Sequence, residues 1–145
     1  MRNLLFVVTH KTVDLPQEIY NSPYQIITVG GATPWQEKIW RDDTGDNISA
    51  KNSHYCELTA HYWVWKNKAK EYDNIGLCHY QRFFAKNGFS VNSKDYLTDC
   101  DIDRLMRKYD VVLPQKVYLG HPRVSPQDRF YDAYIKLGEL LQKHF

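Results

Sequence analysis

Three short apolar runs that end in polar or glycine residues limit the folds open to this chain. Leu4-Leu5-Phe6-Val7-Val8 runs into Thr9-His10-Lys11, Tyr24-Gln25-Ile26-Ile27-Thr28-Val29 stops at Gly30-Gly31, and Ile75-Gly76-Leu77-Cys78 continues into His79-Tyr80-Gln81-Arg82. The first run is continuously apolar rather than alternating, which is what a strand covered on both faces needs, and strands covered on both faces belong to parallel sheets flanked by helices. Tyr109-Asp110-Val111-Val112-Leu113-Pro114 reads as a fourth, short strand stopped by proline.

Helical spacing separates the strands. From about Ser53, Tyr55, Leu58, Tyr62, Trp65 and Ala69 recur three or four residues apart, and Lys66, Lys68 and Lys70 crowd the carboxyl end, where cations favour the helix dipole. Trp63 and Trp65 cannot both face inward on one helix, so one packs inside while the other lines a cleft or lies under a loop. A polar loop over 86–94 leads to a second helix with Ile102, Leu105 and Met106 on one face, and Ser125-Pro126 opens a last helix carrying Phe130, Tyr134, Leu137 and Leu141. The segment from Pro34 to Ser49 is too rich in turn formers for regular structure. Strands alternating with helices predict an α/β fold with a mainly parallel sheet, and 145 residues fit a single domain spanning 1–145.

Composition narrows the function classes. A net charge of +2 with acids and bases interspersed is too weak a basic face for a general nucleic-acid binder. No run approaches the ~20 apolar residues of a membrane span, and the start lacks the length and cleavage site of a signal peptide. Cys56, Cys78 and Cys100 lie in apolar segments without a C-x-x-C pair, so they are expected to be reduced and buried, in a cytoplasmic protein. Eleven tyrosines and four tryptophans suit sugar or base stacking and core packing equally well.

In an open α/β sheet, ligands bind beyond the carboxyl ends of the strands. That rule gathers Thr9, His10, Lys11, Gly30, Gly31, His79, Tyr80 and Arg82 at one edge, with two glycines for close backbone approach and several cation-capable side chains, a complement that suits a diphosphate. Taken singly, each reads equally as a solvated loop residue or a salt-bridge partner. Asp42, Asp43 and Asp46 place three carboxylates within five residues, which suits a divalent metal such as Mn or Mg, ribose hydroxyls, or simply a hydrogen-bonded turn. Glu57 and His61 stand at i, i+4 and read as an acid–base pair or a stabilising surface contact. The lone D-x-D, Asp101-Ile102-Asp103, falls at a helix start and reads as capping. The phosphate-loop, dinucleotide, zinc-protease and nucleophile-elbow motifs are missing from the sequence, and no catalytic residue is assigned.

Longer motifs carry a family resemblance. Asp43-Thr44-Gly45-Asp46-Asn47-Ile48-Ser49, Lys51-Asn52, Tyr55-Cys56-Glu57-Leu58-Thr59, Tyr62-Trp63-Val64-Trp65-Lys66-Asn67 and Ile75-Gly76-Leu77-Cys78-His79-Tyr80-Gln81-Arg82-Phe83-Phe84 resemble the signature of a bacterial glycosyltransferase-like family, long catalogued as a domain of unknown function and found in capsule, exopolysaccharide and lipopolysaccharide synthesis. The resemblance implies a GT-A-like fold and transfer of a sugar from a nucleotide-sugar donor, UDP-linked, to a glycan or lipid-linked acceptor, in the cytoplasm at the inner face of the membrane, with peripheral membrane association. It implies that Thr9, His10 and Lys11 meet the nucleotide and that Asp46 and Asn47 meet ribose or sugar. His79 and Arg82 would neutralise the diphosphate in place of a metal. Gln81 departs from the family's two adjacent arginines after His-Tyr, and the family domain continues past Phe145, so the chain is expected to hold its amino-terminal part. A non-catalytic nucleotide-sugar or glycan-binding module, and a fragment that self-associates or packs on a partner through its last helix, are the alternative readings.

Overall fold

The computed structural model describes residues 1–86 and 96–113. Four strands, β1 (Asn3–Thr9), β2 (Tyr24–Thr28), β3 (Trp40–Arg41) and β4 (Asn74–His79), form one sheet in the order β3-β2-β1-β4. All three pairings are parallel: Leu5 sits opposite Tyr24, Val7 opposite Ile26 and also Cys78, and Ile27 opposite Trp40. Every carboxyl end therefore lies at the same edge, as the expected mainly parallel α/β sheet with flanking helices requires.

Alternate side chains of β1 feed two cores, as the two-residue period of a strand dictates. Leu5 and Val7 point to one face with Tyr24, Ile26, Cys78, Ile19 and Ile102, while Leu4, Phe6 and Val8 meet Ile27, Val29, Ala60, Trp63 and Val64 on the other. All seven β1 residues are buried, which is why the run carries no alternation. Each fully buried large apolar side chain stabilises by about 1.5–3 kcal/mol relative to exposure.

The second face is covered by α2 (Leu58–Asn67), preceded by the short α1 (Asn52–Tyr55), which buries no side chain. The single helix expected from Ser53 is broken at Cys56, whose φ of +47° turns the chain. Its buried side also differs from the expected one. Thr59, Ala60, Trp63 and Val64 pack inward, whereas Tyr55, Leu58 and Trp65 are exposed, Trp65 to 62%. The helix is apolar on both sides, so spacing alone could not choose between them. Trp63 Nε1 donates to the Thr44 carbonyl at 2.7 Å, a bond that selects it as the inner tryptophan.

On the other face lies α3 (Asp99–Met106), opened by a capping box in which Thr98 and Asp101 bond reciprocally. Asn3 Nδ2 donates to Asp103 Oδ1 at 2.9 Å and Asp99 Oδ1 at 3.1 Å, fixing α3 against the start of β1. The D-x-D acids thus serve the helix start and its anchor, at the amino edge of the sheet. β1 rises about 20 Å from there to the carboxyl edge.

Further expectations need correction. β3 falls inside the stretch read as loop, Pro34 to Ser49, because two residues are enough to pair with Ile27 and Thr28. Tyr109 to Leu113 form no strand, and Tyr109, Val111 and Leu113 are exposed. Only Cys78 is a buried cysteine; Cys56 and Cys100 are exposed, one at the α1–α2 turn and one on the outer side of α3, and all three are free. Among the described residues no helix is long and apolar enough to cross a membrane. The last helix expected from Ser125, like most of the 86–94 loop, lies outside the described residues.

Candidate functional site at the carboxyl edge of the sheet

β1 ends at Thr9, which is 1% exposed. Its hydroxyl donates to the Lys11 carbonyl at 2.7 Å and accepts from the Lys11 N–H at 3.3 Å, so Thr9 shapes the turn that presents His10 and Lys11 rather than facing solvent itself. Both His10 and Lys11 are exposed.

β4 delivers the opposing groups. The Tyr80 N–H extends the ladder to the Val8 carbonyl at 3.1 Å, and the Arg82 N–H closes a turn onto His79 at 2.8 Å. Tyr80 is the hub: the His79 ring stacks tilted on it at 4.3 Å between centroids, His10 meets it edge-on at 5.7 Å, and Lys11 Nζ lies 5.5 Å from its centroid. A cation over a tyrosine ring gains about 0.5–1 kcal/mol at an exposed site, enough to bias the position of Lys11 without fixing it.

His79 is held from two sides. The Gln81 N–H approaches its Nδ1 at 3.3 Å, which leaves the ring proton on Nε2, and Nε2 faces Glu57 Oε1 at 3.6 Å. Burial pulls the imidazole below its ordinary pKa; Glu57 opposes this, while Arg82 and His10 push the same way as burial. Burial lowers the pKa of His61, whose ring sits edge-on to Phe6 at 5.3 Å, while Glu57, its neighbour at i, i+4, partly opposes that shift.

Just past the end of β2, the Val29 N–H bonds to the Thr9 carbonyl at 3.0 Å. Gly30 and Gly31 follow with φ of +66° and +77°, and the Ala32 N–H returns to the Val29 carbonyl at 3.3 Å, a tight turn with positive φ at both central positions. A Cβ on Gly30 would stand 2.7 Å from Asn52 Oδ1, whereas one on Gly31 would meet nothing within 4 Å.

Asn52 is a site-shaping residue that sequence reasoning missed. Its Nδ2 donates to the Cys56 carbonyl at 2.8 Å and to Thr59 Oγ1 at 2.9 Å, holding the positive-φ turn that sets Glu57 beside His79. Behind it, buried Asp42 accepts from Thr59 Oγ1 at 2.5 Å and from Ser49 Oγ at 2.8 Å. Thr59 and Asn52 at a seven-residue interval were the available signal, but only the break at Cys56 makes that interval meaningful.

The remaining loop acids diverge. Asp43 pairs with Arg41, which lowers its pKa. Asp46 accepts from the Tyr62 hydroxyl at 3.0 Å and exchanges backbone bonds with the Asn67 amide at 2.8 and 3.1 Å. Asn47 Nδ2 donates to the Gly45 carbonyl at 3.0 Å and its Oδ1 accepts from the Ser49 N–H at 3.2 Å. Asp46 is therefore tied to the last turn of α2, and neither it nor Asn47 contacts the cluster around Tyr80. The three acids do not converge as metal ligands, and among the described residues no group of three or more His, Cys, Asp and Glu side chains is arranged to hold a metal.

The parallel four-stranded sheet with flanking helices, with exposed His10, Lys11 and Arg82 at its carboxyl edge, makes this a mixed α/β protein. Residues 4–140 match the family described as Domain of unknown function (DUF4422), and the chain belongs to that family. No curated protein matches. Among solved structures, the apo structure of WbbM, a bifunctional glycosyltransferase, is similar at 37% identity, covering 64% of this chain and 16% of that one with a TM-score of 0.47. This chain thus matches about a sixth of the length of that protein.

Proposed function

We propose that this chain is a glycosyltransferase domain that takes a nucleotide-diphosphate sugar, UDP-linked, at the carboxyl edge of its sheet and serves transfer to a glycan or lipid-linked acceptor in bacterial surface polysaccharide synthesis. The observation that carries the reading is the convergence of His10 and Lys11 on the Tyr80 ring, with exposed Arg82 in the turn that its own N–H closes onto the His79 carbonyl. Lys11 and Arg82 supply positive charge, and Arg offers two parallel donors to phosphate oxygens. At Gly31, where a Cβ would meet nothing within 4 Å, a phosphate can approach backbone that a side chain would shield. Together they would lower the cost of bringing the diphosphate out of water and stabilise the charge that develops as the sugar–phosphate bond breaks. The acids of the 42–46 loop are bound by Arg41, Ser49 and Tyr62 rather than gathered at this edge.

A second reading rests on Glu57. It is the one carboxylate that contacts among the described residues bring to the cluster, where it lies beside His79 and stays half-exposed. That arrangement favours a donor-binding module whose catalytic base comes from elsewhere. Incubation of the chain with radiolabelled UDP-sugars and a lipid-linked glycan acceptor separates the two. Transfer supports the enzyme, UDP binding without transfer or hydrolysis supports the module, and neither would contradict both.

A further inference from the structure

Glu57 has no evident reason to stand where it does if the edge merely collects cations, because a carboxylate there repels an anion. Its setting explains it. The Cys56 turn, with φ of +47° and its carbonyl bound by Asn52, projects Glu57 toward β4, where it meets His79 Nε2 at 3.6 Å. The Gln81 N–H at 3.3 Å holds the other ring nitrogen. Both nitrogens of His79 are thus turned to the protein, and what the ring offers the site is its face, stacked on Tyr80 at 4.3 Å.

We infer that Glu57 is a positioning residue for the donor's diphosphate: it fixes the His79 ring as the shelf for Tyr80, and so sets where Lys11 and His10 stand. The inference rests on the proposed donor reading and reassigns His79 from phosphate contact to support. Besides Glu57, the charged and titratable groups that face His79 are Arg82, His10 and Tyr80. Glu57 favours the protonated ring against the first two, so it also keeps an attraction across the contact whenever His79 takes up a proton.

Simple electrostatics and positioning predict opposite signs. Removing a carboxylate from an anion site should tighten anion binding, whereas loss of the shelf should weaken it. Calorimetry with UDP is expected to show Glu57→Gln binding about fivefold more weakly than wild type, on the scale of one lost contact. NMR titration should show the His79 ring resonances moving at lower pH in the same variant. In a His79→Phe background, which keeps a ring under Tyr80, Glu57→Gln should no longer weaken UDP binding. Equal or tighter binding by Glu57→Gln in the wild-type background, or the same fivefold loss with Phe at 79, would overturn the role of Glu57. Wild-type protein that binds no UDP would instead refute the donor reading itself.

Discussion

Asn52 Oδ1 occupies the space that a side chain on Gly30 would need, 2.7 Å from the position of its Cβ. One amide thereby joins the turn after β2 to the start of α2, since the same side chain holds Thr59 and the Cys56 carbonyl. Both glycines have positive φ, but only Gly30 is also crowded. Gly31→Ala should cost about 1–2 kcal/mol from backbone strain alone. Gly30→Ala should cost more, about 2–3 kcal/mol, because strain and displacement of Asn52 add. Urea denaturation of the two variants checks this, and equal losses would mean that the Asn52 contact carries no weight.

The tryptophans of α2 should behave oppositely. Trp63 is 6% exposed, packs against Trp40 at 5.4 Å and donates to Thr44, while Trp65 is 62% exposed. Trp63→Ala is expected to lose about 3–5 kcal/mol of stability. Trp65→Ala should stay within about 0.5 kcal/mol. Thermal melts of both proteins decide it.

How much of this was legible in the sequence follows from where the determining contacts lie. β1 could be read because a strand covered on both faces is apolar along its length, and β2 and the edge strand β4, where Ile75 is exposed, because short apolar runs stop at glycine or polar residues. β3 could not, since two residues leave no period to detect. The α1–α2 break hides in Cys56, a residue type that gives no hint of positive φ, and the fixing bond from Asn52 appears only once the turn has formed. The inner face of α2 was misread because Tyr55, Leu58, Tyr62 and Trp65 keep a helical spacing as good as that of the buried set. Tyr109 to Leu113 looked like a strand by composition, yet pairing is a tertiary event and none forms there. Strand-end placement put His10, Lys11, His79 and Tyr80 at one edge, and these four side chains meet there. It had no means of showing that Glu57, 22 residues earlier than His79, faces that ring.

Asp101 gives the fold an acid-sensitive element. Its bonds from Lys86, at 2.8 Å, and from Thr98 hold its pKa down at about 2, against an ordinary value of 3.8. A carboxyl depressed by folding contributes stability that is complete above the unfolded value and is lost as pH falls through the folded one. The contribution should therefore be constant at neutral pH and disappear between about pH 4 and pH 2. Asp101→Asn should lower stability at pH 7 by about 1 kcal/mol through the capping box. It should also flatten the acid limb of a stability curve followed by circular dichroism; a limb as steep as that of the wild type would assign acid unfolding to other groups.

On the proposed reading, the edge around Tyr80 binds a nucleoside diphosphate. Calorimetric titration of the purified chain with UDP tests it most directly, alongside Arg82→Ala and Asp46→Ala, the latter altering a side chain tied to the far turn of α2. The account predicts saturable binding by the wild type, loss of about tenfold or more in Arg82→Ala, the scale of a charge-assisted hydrogen bond, and little change in Asp46→Ala. A folded wild-type protein that binds no UDP, or binding that Arg82→Ala leaves intact while Asp46→Ala abolishes it, would contradict the site.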